Sequence, residues 1–253
     1  MVEQPLTAAA LAAQLRLQPR EYPLPWRLRA KAVCGSTERE LERWLQSEPE
    51  LQAARLVVAQ RQRHGHGQQG RVWVSPAGGV WLSALLPWPQ QPQASASLAL
   101  AASLGLVLQL EALGLKPQIK WPNDVLIDQK KLAGLLPRLR WRAGQVRCAQ
   151  VGLGLNGRNP GPAGSISLRE ALAGREPATL RHDRLVARVV AGLEWAVAAA
   201  PHPELVRRQA EQRLWRPESL EHEGQHWSVE GLELDGGLRI RRGTALAVLQ
   251  RRF

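Results

Sequence analysis

Lys120-Trp121-Pro122-Asn123-Asp124, followed by Val125-Leu126-Ile127 and then Lys130-Lys131-Leu132-Ala133-Gly134, is the most informative run in this chain. Pro122 disfavours the helical region for Trp121 and holds it extended. Asn-Asp after a proline favours a turn. The short apolar run Val125 to Ile127 then reaches a second turn at Asp128-Gln129-Lys130. Antiparallel strands joined this tightly place Lys120, Asp124 and Lys131 within side-chain reach of one another. Two ammonium groups beside one carboxylate can neutralise phosphates and still leave an acceptor for an amine or a metal. A solvated, salt-bridged hairpin fits the same charge spacing at least as well.

Outward from this hairpin, the pattern alternates between strands and two long helices. Downstream, Leu132 to Arg140 and Val146 to Leu155 read as strands, and Thr179 to Ala200 as a helix preceded by Pro177 and stopped by Pro201. Upstream, Gln118 to Trp121 reads as a strand, and Ser95 to Leu113 as the longest helix, closed by Gly114 and Pro117. Arg71 to Ser75 and Trp81 to Leu86 look like paired strands around Pro76-Ala77-Gly78-Gly79. Arg55 to Gln60 is a buried-strand type of run, Glu38 to Leu45 has helical spacing, and Thr7 to Leu17 is a short Ala/Leu-rich helix before the proline-rich connector Pro19 to Pro25. From Leu214 the texture changes to short β-like runs broken by glycine turns, a small β-module. Strands bracketing two long helices predict an α+β fold with a mixed or antiparallel sheet.

The 253 residues suffice to bury a real core, as one large domain or as one domain plus a small module. The most apolar region, Ala94 to Leu115, is interrupted by Ser95, Ser97, Ser103, Gln109 and Glu111, so no membrane span is expected. Cys34 and Cys148 lie far apart without metal-ligand spacing, which fits a reducing, cytoplasmic setting. A net charge of +12 suits anionic partners without choosing among phosphates, an acidic protein or nucleic acid. The Lys and Arg residues are spread along the chain and form no basic arm.

Gly65-His66-Gly67-Gln68-Gln69-Gly70 matches the dinucleotide fingerprint by letter only. A helix should follow it and an acidic residue should stand about 20 positions on. Arg71 to Pro76 is β-like instead, and Trp88 to Gln93 holds only Trp, Pro and Gln. No phosphate-binding G-x-x-x-x-G-K-[ST] loop occurs either. Three glycines in six residues still let backbone amides approach an anion closely, as they also permit a plain flexible connection. His64 and His66 lack the companions a metal site needs.

Four segments together resemble the biotin–protein ligase family. They are Gly35-Ser36-Thr37; Gln62 through the glycine loop to Arg71-Val72-Trp73-Val74-Ser75-Pro76; Lys120 to Asp124 with Lys131 to Gly134; and Val151-Gly152-Leu153-Gly154-Leu155-Asn156. The resemblance spans roughly residues 30 to 250. It implies the class II synthetase-like fold of the biotin/lipoate ligases with a C-terminal SH3-like module. The implied divisions are an N-terminal extension 1–25, a biotin- and ATP-binding catalytic domain 26–210 and the module 211–253. Ser36, Thr37 and Gln62 would bind the biotin ring. Gly65, His66, Gly67, Gln68 and Gly70 would order over biotin and the α-phosphate, with Arg71 basic beside them. Trp73 would cover the adenylate and Asn156 would contact adenine; Asn123, Gly134 and Gly154 would line the site. Lys131 would bridge the biotin carboxylate and α-phosphate, Lys120 would stabilise phosphates, and Asp124 would place the acceptor amine or a Mg²⁺. The implied substrates are biotin and ATP, and the implied partner is a biotin carboxyl carrier protein such as that of acetyl-CoA carboxylase. The family contains monomers and dimers, so a homodimer is compatible.

The chain departs from the family's pattern at three places. His66 and Gln68 replace the first two arginines of the usual G-R-G-R-x-G-R loop, which predicts a leakier adenylate. Glu38 stands where many members carry Asn. Only 35 residues precede Ser36, one helix candidate and a connector, where regulatory members carry a helix-turn-helix; a ligase that does not bind DNA is expected. The rival readings are a lipoate–protein ligase or octanoyltransferase of the same fold, an inactive protein of that fold, and a basic RNA-binding module.

Overall fold

The computed structural model describes residues 6–91, 95–173, 175 and 180–250. Its centre is a seven-stranded sheet of β1 (Trp26–Cys34), β2 (Ala54–Gln62), β3 (Val80–Leu86), β4 (Gln118–Lys120), β5 (Asp124–Ile127), β6 (Lys130–Arg142) and β7 (Gln145–Leu155). The spatial order is β1-β2-β3-β7-β6-β5-β4. β1 and β2 run parallel and every other pair is antiparallel, so the sheet is mixed. The expected α+β architecture is the one observed.

The sheet has helices on both faces because its central strands are apolar on both. In β2, Leu56 and Val58 enter the main core while Val57, between them, enters a second cluster with Leu85, Cys148 and helix α2 (Thr37–Ser47). α2 contributes Leu41, Trp44 and Leu45, one side of an amphipathic helix. The opposite face carries α1 (Ala8–Leu17), α3 (Leu98–Glu111), α5 (His182–Ala199) and α6 (Pro203–Gln212), beyond a one-turn α4 (Leu168–Ala171). α3 is apolar nearly all round because it lies between the sheet and α5. The two helices cross at Gly105 and Gly192, where a Cβ on Gly192 would meet the Gly105 carbonyl oxygen at 2.7 Å.

A second, four-stranded antiparallel sheet follows: β8 (Leu220–His222), β9 (Gln225–Leu232), β10 (Leu238–Arg242) and β11 (Ala245–Leu249). It is consistent with the expected SH3-like module. Leu232, Leu238 and Ile240 are buried in the main core cluster, and Trp121 Nε1 donates to the Gly236 carbonyl at 2.9 Å. The sheet therefore packs against the hairpin that carries the candidate site.

One expectation needs correction, and two elements were not expected. Arg71–Ser75 is not a strand paired with β3; it makes only isolated bridges, His66 with Val72 and Gln62 with Ser75. β3 pairs with β2 and β7 instead: it is a central strand, its backbone hydrogen-bonded along both edges and its side chains buried by the layers on both faces. β1 escaped notice because Arg27, Arg29 and Lys31 alternate with Trp26, Leu28 and Ala30, whose packing is only partial. α6 was missed behind Pro201: Pro203 occupies its first turn, where a missing N–H costs nothing.

Candidate active site

A single row across the sheet prepares the site. Trp81 of β3 is the register partner of Gly154 in β7, Gly154 of Gly134 in β6, Gly134 of Asp124 in β5, and Asp124 of Lys120 in β4. Directly opposed residues share a face. On β7, Val151, Leu153 and Leu155 point to the main core, so Gly152 and Gly154 lie on the α2 side. Glycine at these positions leaves a flat floor without side chains. Trp73 lies on it: a Cβ on Gly154 would stand 2.6 Å from Cε2 and Nε1 of that indole, and one on Gly134 would stand 3.1 Å from Cζ3.

This floor belongs to a cavity of about 480 Å³, within the range of small-molecule sites. One wall is polar and preorganised. Thr37 donates its backbone N–H to Gln62 Oε1 at 2.8 Å and its hydroxyl to the same oxygen at 3.1 Å. Its hydroxyl also lies 2.9 Å from Ser83 Oγ, and Gln62 Nε2 donates to Ser75 Oγ at 2.9 Å. Ser36, at the N-terminus of α2, is buried and its hydroxyl makes no capping bond. Ser83 is a lining residue the sequence reading passed over; its signal was a lone hydroxyl in the apolar run Val80 to Leu86.

The hairpin supplies the charge. Lys131 Nζ lies 2.7 Å from Asp124 Oδ1 and 5.0 Å from the centre of the Trp73 ring. The Lys131 backbone is held by a crossing segment, its N–H donating to the Gly164 carbonyl at 3.2 Å and its carbonyl accepting from Ile166 at 3.0 Å. Lys120 also lines the cavity, but its ammonium stands 5.2 Å over the Trp215 ring rather than on Asp124. The expected trio thus resolves into one ion pair and one separate cation. Asn123 and Asn156 are buried at the rim; Asn123 donates to the Leu135 carbonyl, and Asn156 is held by Asn159, whose Nδ2 donates to Asn156 Oδ1 at 3.2 Å. Asn159, like Pro162 and Ser165 at the cavity edge, was not anticipated.

The glycine loop is a narrow hairpin. Trp73 N–H donates to the Gly65 carbonyl at 2.9 Å, and Gly67 N–H to the Arg71 carbonyl at 2.8 Å. Gly65 has no room for a Cβ, which would meet the Trp73 carbonyl oxygen at 2.5 Å. Gly70 turns with φ +72°, beside Gln69 at φ 56°. His66, Gly67, Gln68, Arg71 and Trp73 border the cavity, whereas Gly65 and Gly70 face an open depression on the loop's other side. Lys120, Lys131 and Arg71 against Glu38 and Asp124 give the lining an excess of positive charge. Among the described residues no group of three or more His, Cys, Asp or Glu gathers to hold a metal. Asp124 pairs with Lys131 through Oδ1, and its carboxylate is the oxygen donor that could share a Mg²⁺ brought in with nucleotide phosphates.

The comparisons agree with this geometry. Residues 32–156 match the model of the biotin/lipoate A/B protein ligase family. The chain is 41% identical over 103 residues to the bifunctional ligase/repressor BirA of Bacillus subtilis, covering 40% of this chain and 32% of that protein. It is 36% identical over 124 residues to the biotin–[acetyl-CoA-carboxylase] ligase of Paracoccus denitrificans, 47% of this chain and 50% of the relative. The chain therefore spans a third to a half of these curated relatives. In fold it resembles the biotin protein ligase of Aquifex aeolicus in complex with biotin and ATP, with TM-score 0.67 and 23% identity over 88% of this chain and 95% of the other. Family model and fold coincide on the sheet that carries the cavity, and over residues 32–156 this chain is similar to the biotin/lipoate A/B protein ligase family.

Proposed function

We propose that this chain activates biotin with ATP to biotinyl-5′-AMP and transfers the biotin to a lysine of a biotin carboxyl carrier protein. The observation that carries the reading is Lys131, held 2.7 Å from Asp124 inside one cavity with Ser36 and Thr37 at one wall and Asn156 at another. A carboxylate attacking an α-phosphate brings two anions together, and Lys131 places a cation where their charge meets. Lys120 and Arg71 add positive charge toward the phosphates. Ser36, Thr37 and Gln62 suit a cyclic urea, which offers both N–H donors and a carbonyl acceptor. Trp73 covers the floor against water, which matters because a mixed anhydride hydrolyses when wet. Asp124 orients Lys131 and offers its carboxylate to the incoming acceptor amine. Mg²⁺ would arrive with the nucleotide phosphates and offset the charge of the departing pyrophosphate.

The match to ligases that name biotin, and the lone hydroxyls set for a polar ring, favour biotin over lipoate. We propose in addition that the protein does not bind DNA, since α1 (Ala8–Leu17) is engaged with α5 and β1 rather than free to enter a groove; a gel shift with biotin present tests it. The chemistry is tested by biotin-dependent ATP–pyrophosphate exchange followed by transfer to a carrier fragment. Lys131→Ala should lower both by about 10²–10³-fold; full activity in that variant would reject the assignment.

A further inference from the structure

The glycine loop is gripped at the edge of the cavity. His66 Nε2 lies 2.6 Å from Glu38 Oε2. The other oxygen of that carboxylate, Oε1, lies 2.8 Å from Arg138 Nη2 and accepts from Gln150 Nε2 at 3.4 Å. Gln150 is in turn fixed by Arg140, whose Nε donates to its Oε1 at 2.6 Å. Glu38 sits in the first turn of α2, where the helix dipole favours an anion, and α2 is locked by its buried Leu41, Trp44 and Leu45. The carboxylate is thus pinned to the sheet through Oε1 and presents Oε2 to the loop. Its side chain is 12% exposed against 34% for His66, so the acid is the fixed partner and the ring the adjustable one. The other ring nitrogen, Nδ1, faces the His64 carbonyl at 3.5 Å. Because His66 bridges to Val72, and Gly65 to Trp73, holding this one ring holds the hairpin and the indole beneath it.

We propose that Glu38 is the positioning residue of the glycine loop: through His66 it anchors the loop over the cavity and so sets how long a bound adenylate is retained. The consequence for adenylate rests on the ligase reading, whereas the anchoring does not. The experiment uses the full chain with His66→Ala, Glu38→Gln, the two combined, and His66→Gln. Tryptic cleavage after the exposed Arg71 is followed by mass spectrometry, with and without biotin and ATP, and release of adenylate in the absence of acceptor is measured in parallel. Each single change should speed cleavage about three- to tenfold, and the double variant should be no faster than the quicker single one. His66→Gln should restore slow cleavage, since its amide N–H can still donate to the same carboxylate and adds no tryptic site. Adenylate release should rise in the same order. Additive effects, or cleavage unchanged in His66→Ala, would overturn the proposal. Unchanged thermal midpoints show that the variants fold, which an exposed loop substitution and an isosteric Glu38→Gln allow. Wild type lacking pyrophosphate exchange would reject the ligase reading alone, because the cleavage cycle would still decide the anchor.

Discussion

The floor of the cavity depends on what glycine lacks. At Gly154 the backbone conformation is ordinary strand, so the requirement is purely spatial: the Trp73 indole occupies the place a Cβ would take. Gly154→Ala should fold normally, displace that ring and raise the KM for ATP about tenfold, roughly 1.4 kcal/mol of lost complementarity; an unchanged KM would mean that Trp73 does not shape the nucleotide site. Trp73 Nε1 is buried without a hydrogen-bond partner, a state that a bound acceptor would relieve. The Lys131–Asp124 pair is partly exposed, at 34% and 21%, so its worth lies in orientation rather than in stability.

Helices α3 and α5 show a different use of glycine. Gly105 and Gly192 let the two backbones touch, and this contact sets the layer behind the sheet. Gly105→Ala gains helix propensity but overpacks the crossing, and should cost about 1–3 kcal/mol, seen as a lower urea midpoint at unchanged slope. The glycine loop answers to charge instead. Gln68 borders the cavity without a cation, so Gln68→Arg should slow release of the adenylate by about tenfold, the value of one charge-assisted contact to phosphate. Equal release rates would locate retention elsewhere. The loop and the hairpin motifs were legible as sequence because their residue types are rare in combination. β1 was not legible, since a half-exposed edge strand carries basic residues outward and its identity comes only from pairing with β2.

The two sheets share one apolar core, in which Leu232, Leu238 and Ile240 of the second join the first. We propose that the division at residue 211 separates two sheets but not two independently stable cores. Both cysteines are buried beside the α2 layer, and burial pushes the Cys34 thiol up to about 11 and raises that of Cys148. The thiolate is the reactive species, so alkylation of Cys34 at pH 8 should be about a hundredfold slower than for an unshifted thiol, and should reach the free rate in urea. Rapid native alkylation would show that the α2 layer opens. With the folded pKa above the unfolded one, the stability from this group is complete below pH 9 and lost as pH rises toward 11.

Local residue chemistry determined the strand–turn–strand hairpin, the glycine loop, the two long helices and the family they imply, because proline, glycine and paired charges constrain backbone and electrostatics within a few residues. Tertiary structure decided that Lys120 turns to Trp215 while Lys131 takes Asp124, that Gly65 and Gly70 face away from the cavity, and that Glu38 reaches His66. Those choices are made by strand register and by packing between segments far apart in the chain, and no local pattern encodes them.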